Sequence, residues 1–407
     1  MLIHSASQLL TLAGGPQRGS ALGHFDVIPD GAVLVHGNQI AATGTTRELR
    51  AAYPDEPALD AGGKVVMPGL VDPCTNLIWA ESPDPSPSDP SAAELALIQA
   101  TAQARPRDLL DQARGRARSM FRHGTTTTQA LMSYALQPPK ALELLNILSL
   151  LDAEGPLEAL PACLGMTALP TDPDFSSENY TNQVCDSILP AAADWWEARF
   201  PDRGSPAVAL DCGLAAFDLT QARLILARAR RLGLPIHLLA GSQPRPGAAT
   251  LAIEFEARAL ISQADLPKAD LLALAASRSA LIALPAFSYC QRDPTIHDLK
   301  PFLQAGGLLA LGTGLNPVSA WGENLQLVIW MACNLFGLTV EQAIAAATIN
   351  AAAVIARDRQ VGSLEAGKQA DLLVLNCSDY RLLGRRYGVN LVQQVIKKGK
   401  VFTWVTF

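Results

Sequence analysis

Residues 65–80 read VVMPGLVDPCTNLIWA: an apolar run, a Pro-Gly turn, and a second apolar run with Asp-Pro-Cys-Thr-Asn set into it. Aliphatic and β-branched residues on both sides of a Pro-Gly pair predict two short buried strands. Downstream, strands alternate with helices. In DLTQARLILARARRLGLPIHLLA, residues 218–240, Asp218 and Gln221 have capping-box spacing and apolar residues recur at helical intervals. Gly233 and Pro235 then stop the helix before a strand over 236–240. LLDQARGRARSMFRHGTTTTQAL (109–131) and HDLKPFLQAGGLLALGTG (297–314) repeat the order helix, glycine, strand. A helix after each strand requires parallel strands, and about 290 residues built this way suit an eightfold β/α barrel, with a doubly wound sheet as the alternative.

The ends of the chain read differently. GAVLVHGNQIAATG (31–44) places two β-prone runs around a tight turn at His36-Gly37-Asn38-Gln39. After a helix that opens with Thr339 and Gln342 at capping-box spacing, QADLLVLN (369–376) and VQQVIKKGKVF (392–402) return to β. Neither β segment is large enough to fold alone, so the two are expected to pair. The domain reading is 1–64 and 356–407 as halves of one composite β domain, with the barrel over 65–355.

Composition excludes several roles. The 407 residues are 49% hydrophobic and 17% charged, with a formal net charge of −6. The balance is acidic and the Lys and Arg residues are scattered, so no footprint for nucleic acid or an anionic membrane is present. Seven cysteines, at 74, 163, 185, 212, 290, 333 and 377, form no C-x-x-C pair. Buried free thiols fit a reducing compartment, and no signal-peptide pattern or long apolar span occurs. The expectation is a cytoplasmic protein.

VVMPGLVDPCTNLIWA, together with RHGTTTT (122–128), CDSILPA (185–191), CNLFGLTVEQAIAAATINAA (333–352), GSLEAGKQADLLVLN (362–376) and RYGVNLVQQVIKKGK (386–400), resembles the amidohydrolase superfamily. Within it, these motifs are most similar to the imidazolonepropionase family, along nearly the whole chain. The resemblance implies a β/α barrel beside a composite β domain, and hydrolysis of C–N bonds in cyclic amides by zinc or iron held at the C-terminal mouth. A bound metal lowers the pKa of its water and polarises the carbonyl under attack. The ligands it implies are two histidines on the first barrel strand, one on each of two later strands, and a last-strand aspartate that also accepts a proton.

This chain departs from that pattern at each position that can be matched. Cys74 and Asn76 stand at the first pair, Leu239 in LLAG at the next histidine, and Gly314 in GTGLNP at the aspartate. Gly241 replaces a glutamate, SQADLP offers Asp265 without a histidine, and Leu131 replaces a lysine. Thr167 takes a substrate histidine's place and Pro83 an arginine's. A thiolate can bind zinc, but an amide is a poor ligand, and leucine and glycine supply none. The framework residues Asp72, Thr75, Asn316 and Pro317 remain.

The expectation is therefore a catalytically silent barrel without a metal, retained to bind a protein or small molecule. The alternative is an active C–N hydrolase with a rebuilt site, for which Cys74, His237 and Asp265 are the candidates and Tyr134, Thr167, Asn316 and Glu323 the pocket lining. His237, two residues before Leu239, points into the barrel one layer deeper and reads as a hydrogen-bonded core histidine. The apolar segment 325–338, with Trp330, Met331 and Phe336, must be covered by its own chain or another copy. The expected assembly is a homodimer that uses this helix or the loop 83–90.

Overall fold

The structure, a computed structural model, describes residues 1–81, 90–133, 137–163, 176–212, 217–241, 246–262, 266–290 and 298–404, without the side chains of residues 90 and 91. Tyr134, Thr167, Asp265, Pro83 and the loop from residue 83 to 89 therefore lie outside the described residues.

Two sheets organise the chain. The first joins strands from both ends: β1 (Leu2–Leu10), β2 (Val27–His36), β3 (Gln39–Thr45), β4 (Ala58–Asp60) and β5 (Val65–Pro68). The second contains eight parallel strands in sequence order: β6 (Leu70–Asn76), β7 (Thr125–Met132), β8 (Glu158–Cys163), β9 (Ala207–Asp211), β10 (Ile236–Leu239), β11 (Ala259–Ser262), β12 (Ala280–Ala283) and β13 (Leu309–Leu311). The chain then returns to the first sheet through β14 (Leu372–Leu375), β15 (Val392–Lys397) and β16 (Lys400–Thr403), where β14 pairs antiparallel with β5. Both ends thus share one sheet, as their β patterns require.

The Pro-Gly turn divides the two bodies. Val65–Pro68, which the sequence reading assigns to the barrel, pairs with β1 and β14, and the ring begins at Leu70. Gly69 sits between them because a Cβ there would lie 2.3 Å from the Thr126 hydroxyl oxygen. The ring closes where Thr75 bridges Leu315, the Asn76 N–H donates to the Leu315 carbonyl at 2.8 Å, and the Gly314 N–H donates to the Cys74 carbonyl at 3.1 Å.

Local signals act as the sequence reading expects. His36 pairs with Gln39 across a hairpin turn in which Gly37 has φ +61°. Both capping boxes form, at Asp218/Gln221 before helix Leu219–Arg231 and at Thr339/Gln342 before helix Val340–Ala346. The apolar helix after the barrel runs Leu325–Leu335. Met331 and Phe336 are buried within the chain, whereas Trp330 is half-buried and meets the exposed Tyr387 at a tilt, with ring centroids 4.8 Å apart. No helix among the described residues is long and apolar enough to cross a membrane.

Inside the ring, Val71, Cys74, Leu131, Leu160, Ala209, Leu239, Ile261, Ile282, Leu284 and Phe287 belong to one apolar cluster. A barrel interior filled by alternating inward side chains is a packed core rather than a channel.

Candidate functional site

The C-terminal ends of β6, β10 and β13 carry the positions at which a catalytic metal would be held. Cys74 is buried on β6, packed against the β13 end: a Cβ at Gly312 would lie 3.3 Å from Asp72 Oδ1 and 3.4 Å from the Cys74 Cβ. Burial, and secondarily the neighbouring Asp72, push the Cys74 thiol far above the ordinary thiol range. It is a protonated apolar side chain rather than a nucleophile.

Asn76 is buried, and its carboxamide oxygen accepts a short hydrogen bond from the Ser133 hydroxyl. Leu239 lies in the same apolar cluster as Cys74. Gly314 adopts φ +61°, and a Cβ there would sit 2.9 Å from a Leu284 methyl. A carboxylate at 314 would thus strain the backbone and displace Leu284.

Asp72 serves the architecture. Its carboxylate accepts from the Thr313 hydroxyl at 2.6 Å, the Thr313 N–H at 3.1 Å and the Cys74 N–H at 3.3 Å. These bonds tie the first barrel strand to the segment after the last. Burial raises the carboxyl to about 7 against the opposing effect of those bonds. Thr75 donates to the Gln129 carbonyl at 3.0 Å, which fastens β6 to β7.

Asn316 and Glu323 organise the loop beyond β13. The Asn316 side chain accepts from the Val318 and Ser319 N–H groups at 2.8 and 3.0 Å, and Glu323 accepts from the Trp321 indole at 3.2 Å. Trp321 is exposed and meets the buried Trp79 edge-on at 5.6 Å.

His237 lies in the core of the barrel. It is fully buried on β10, where the Val354 carbonyl is the backbone acceptor facing its ring, although neither nitrogen makes a close, well-aligned hydrogen bond. Burial, and then Arg258, lower it to about 3, so the ring is neutral. It lines a cavity at the N-terminal end of the barrel, with Pro235 and Arg258, whereas Cys74 packs at the opposite end against Gly312. The structure does not assemble Cys74 and His237 into one reactive pair.

Two features escaped the sequence reading. Asp211 ends β9 as a buried carboxylate in register with Leu239; its signal was an acidic residue closing the apolar run AVAL. Leu284 and Phe287 pack into the interior beside the Cys74 level, a role that spacing alone does not announce.

The donor set does not fit a hydrolytic zinc or iron centre. It consists of a protonated buried thiol, an amide engaged by Ser133, a leucine and a glycine, where imidazole and carboxylate are required. Among the described residues, no three His, Cys, Asp or Glu side chains come together to hold a metal ion.

Chemical modification tests the state of Cys74. In the folded protein, iodoacetamide is expected to label the exposed Cys290 first, with Cys185 and Cys333 slower, and to leave Cys74 unmodified. Peptide mapping that finds Cys74 labelled as fast as Cys290 would contradict the buried, protonated assignment.

Comparison with known proteins places this geometry. Residues 248–402 match the model of the Amidohydrolase family, and residues 31–55 match the imidazolonepropionase-like composite domain of bacteria. Imidazolonepropionase from Chloroflexus aggregans is 34% identical, with 98% of each chain covered. That of Herpetosiphon aurantiacus is 31% identical over 98% of this chain and 96% of its own. Among solved structures, a zinc-bound adenosine deaminase from Xanthomonas campestris has a TM-score of 0.74 at 19% identity, covering 98% of this chain and 92% of that one. Guanine deaminase of E. coli has a TM-score of 0.73 at 14% identity, covering 100% and 99%; both likenesses bear on the fold alone. With identity above 30% along almost its entire length and the barrel and composite sheet in place, the chain belongs to the amidohydrolase family, in its imidazolonepropionase branch.

Proposed function

We propose that this protein is a catalytically silent member of the imidazolonepropionase family, a cytoplasmic homodimer whose barrel is kept as a binding or assembly scaffold and takes no catalytic metal. One observation carries the reading: Cys74, Leu131, Leu239, Leu284 and Phe287 form a continuous apolar cluster where the reaction needs imidazoles, a carboxylate and room for water. A fold constrains function only through the site it carries. Without a ligand set there is no group to generate hydroxide, and Gly314 leaves no last-strand base. A rebuilt thiol site is disfavoured by the protonated state of Cys74 and its separation from His237. The half-buried Trp330 and exposed Tyr387 supply an aromatic surface suited to a two-fold contact.

Protein purified without chelator is expected to contain far less than one equivalent of zinc, iron or manganese. It is also expected not to hydrolyse imidazolone propionate, dihydroorotate or simple hydantoins. Stoichiometric metal by elemental analysis, or turnover abolished by a chelator, would overturn the silent-barrel reading. Turnover that survives chelator and disappears in Cys74→Ala would establish thiol catalysis instead. Light scattering at micromolar concentration tests the dimer, and a monomeric mass would remove it.

A further inference from the structure

A second recess lies at the opposite end of the barrel from the family's catalytic mouth. It is a cavity of about 300 Å³, lined by Gln129, Trp196, Arg203, His237, Arg258 and Arg357 among others. It reaches solvent, because Arg258 on its wall is exposed, while Gln129 and His237 on its floor are buried. Among the described residues, its wall contains three guanidinium groups and no Asp or Glu. Two of the three already have carboxylate partners, Arg203 with Asp152 at 2.5 Å and Arg357 with Glu158. Arg258 has no ion-pair partner among the described residues and stands near enough to His237 to disfavour the ring's proton.

The floor carries unused hydrogen-bonding capacity. The Gln129 side-chain oxygen and the Arg357 Nε are buried without a partner in the described structure, and the His237 ring, whose N–H faces the Val354 carbonyl, makes no well-aligned hydrogen bond. Buried polar atoms left unpaired each cost free energy unless water or a ligand satisfies them. Three such groups, from Gln129, His237 and Arg357, on one recess that also carries the Arg258 guanidinium are more than a packing defect requires. The chemistry on offer is specific. Arg258 and the Arg357 Nε–H favour a negative group, Gln129 Oε1 requires a donor, and the neutral His237, with its N–H toward the Val354 carbonyl, supplies an acceptor.

We propose that this cavity binds a small carboxylate carrying its own hydroxyl or N–H donor. Arg258 and Arg357 take the carboxylate, and Gln129 and His237 take the donor-bearing end. The volume admits roughly ten non-hydrogen atoms, on the scale of about 30 Å³ per water in the liquid. The site is separate from the barrel mouth and does not depend on whether the mouth is catalytic.

Isothermal titration calorimetry on the full-length protein tests this with L-lactate, with propionate as the analogue lacking the hydroxyl, and with inorganic phosphate. Lactate is expected to bind with a millimolar or tighter Kd, and propionate roughly tenfold more weakly because Gln129 stays unpaired. Arg258→Ala, at an exposed position where the fold is not at stake, is expected to weaken lactate at least about tenfold. Gln129→Leu is expected to abolish the preference of lactate over propionate. Arg381→Ala, at an arginine paired with Asp379 elsewhere on the surface, should change nothing. The proposal is overturned if neither carboxylate binds, if the two bind alike, or if Arg258→Ala leaves lactate binding intact. Binding of phosphate alone would overturn the carboxylate assignment.

Discussion

Glu158→Ala is expected to lower the unfolding free energy by about 3–5 kcal/mol, the cost of removing one partner from a buried ionic network. Glu158 opens β8 and is almost fully buried, with Arg357 on one carboxylate oxygen. The other oxygen meets Lys397 Nζ at 3.3 Å and the Gln369 amide at 3.2 Å, and Lys397 also meets Asp371 at 2.7 Å. Lys397 belongs to β15 and Asp371 immediately precedes β14, so the network pins the barrel to the composite sheet. Loss of Glu158 leaves Lys397 and Arg357 buried or half-buried with unbalanced charge.

The pH dependence of this pin has a definite sign. Burial alone would raise the Glu158 carboxyl, but Lys397 and then Arg357 outweigh it and hold the group well below the usual carboxylate range. A depressed acid contributes stability that is present above its unfolded value, near 4.5, and is lost as the pH falls below it. Urea denaturation should therefore find Glu158→Ala destabilised at pH 7, with the gap to wild type closing in acid. A difference under about 1 kcal/mol at pH 7 would mean that the network contributes no more than a surface ion pair.

The second prediction concerns two buried groups that titrate in opposite senses. His237 is lowered to about 3 by burial and then Arg258, so its neutral form is favoured by folding. Its contribution is complete above the unfolded value of 6.5 and declines as the pH falls through the window down to about 3. Asp72 is raised to about 7 by burial, so its contribution is complete below the unfolded value of 3.8 and is lost as the pH rises through about 7. Between pH 7 and pH 5 each changes stability by on the order of 2 kcal/mol, and the two nearly cancel.

Wild-type stability should thus be almost flat across that interval. His237→Leu should be more stable at pH 5 than at pH 7, because only the Asp72 contribution remains. Asp72→Asn should lose stability on the same acidification. Chemical denaturation of the three proteins at both pH values measures the slopes, and equal slopes in all three would refute the assignment of these groups.

Much of the architecture was legible in local chemistry. The hairpin at His36–Gln39 and the capping boxes at Asp218/Gln221 and Thr339/Gln342 are settled within a few residues. Alternating apolar runs and helical patterns then leave few topologies other than a barrel. The chemistry absent from positions 74, 76, 239 and 314 was equally legible, since a residue type limits what its side chain can donate. The boundary at Val65–Pro68 was not, because an apolar strand reads the same in either sheet until its partners are known.

What only the tertiary structure decided depends on residues far apart in sequence. Asp72 meets Thr313 across 241 positions and Glu158 meets Lys397 across 239, and nothing in either local stretch names the other. The same holds for His237. Its neighbours Leu238 and Leu239 mark it as a strand residue, but the burial of its ring, and the cavity it shares with Gln129 and Arg258, follow from how separate strands meet at the barrel's end. Burial and partner geometry, which set the charge and the cost of a polar group, are properties of the packed ring and not of any segment within it.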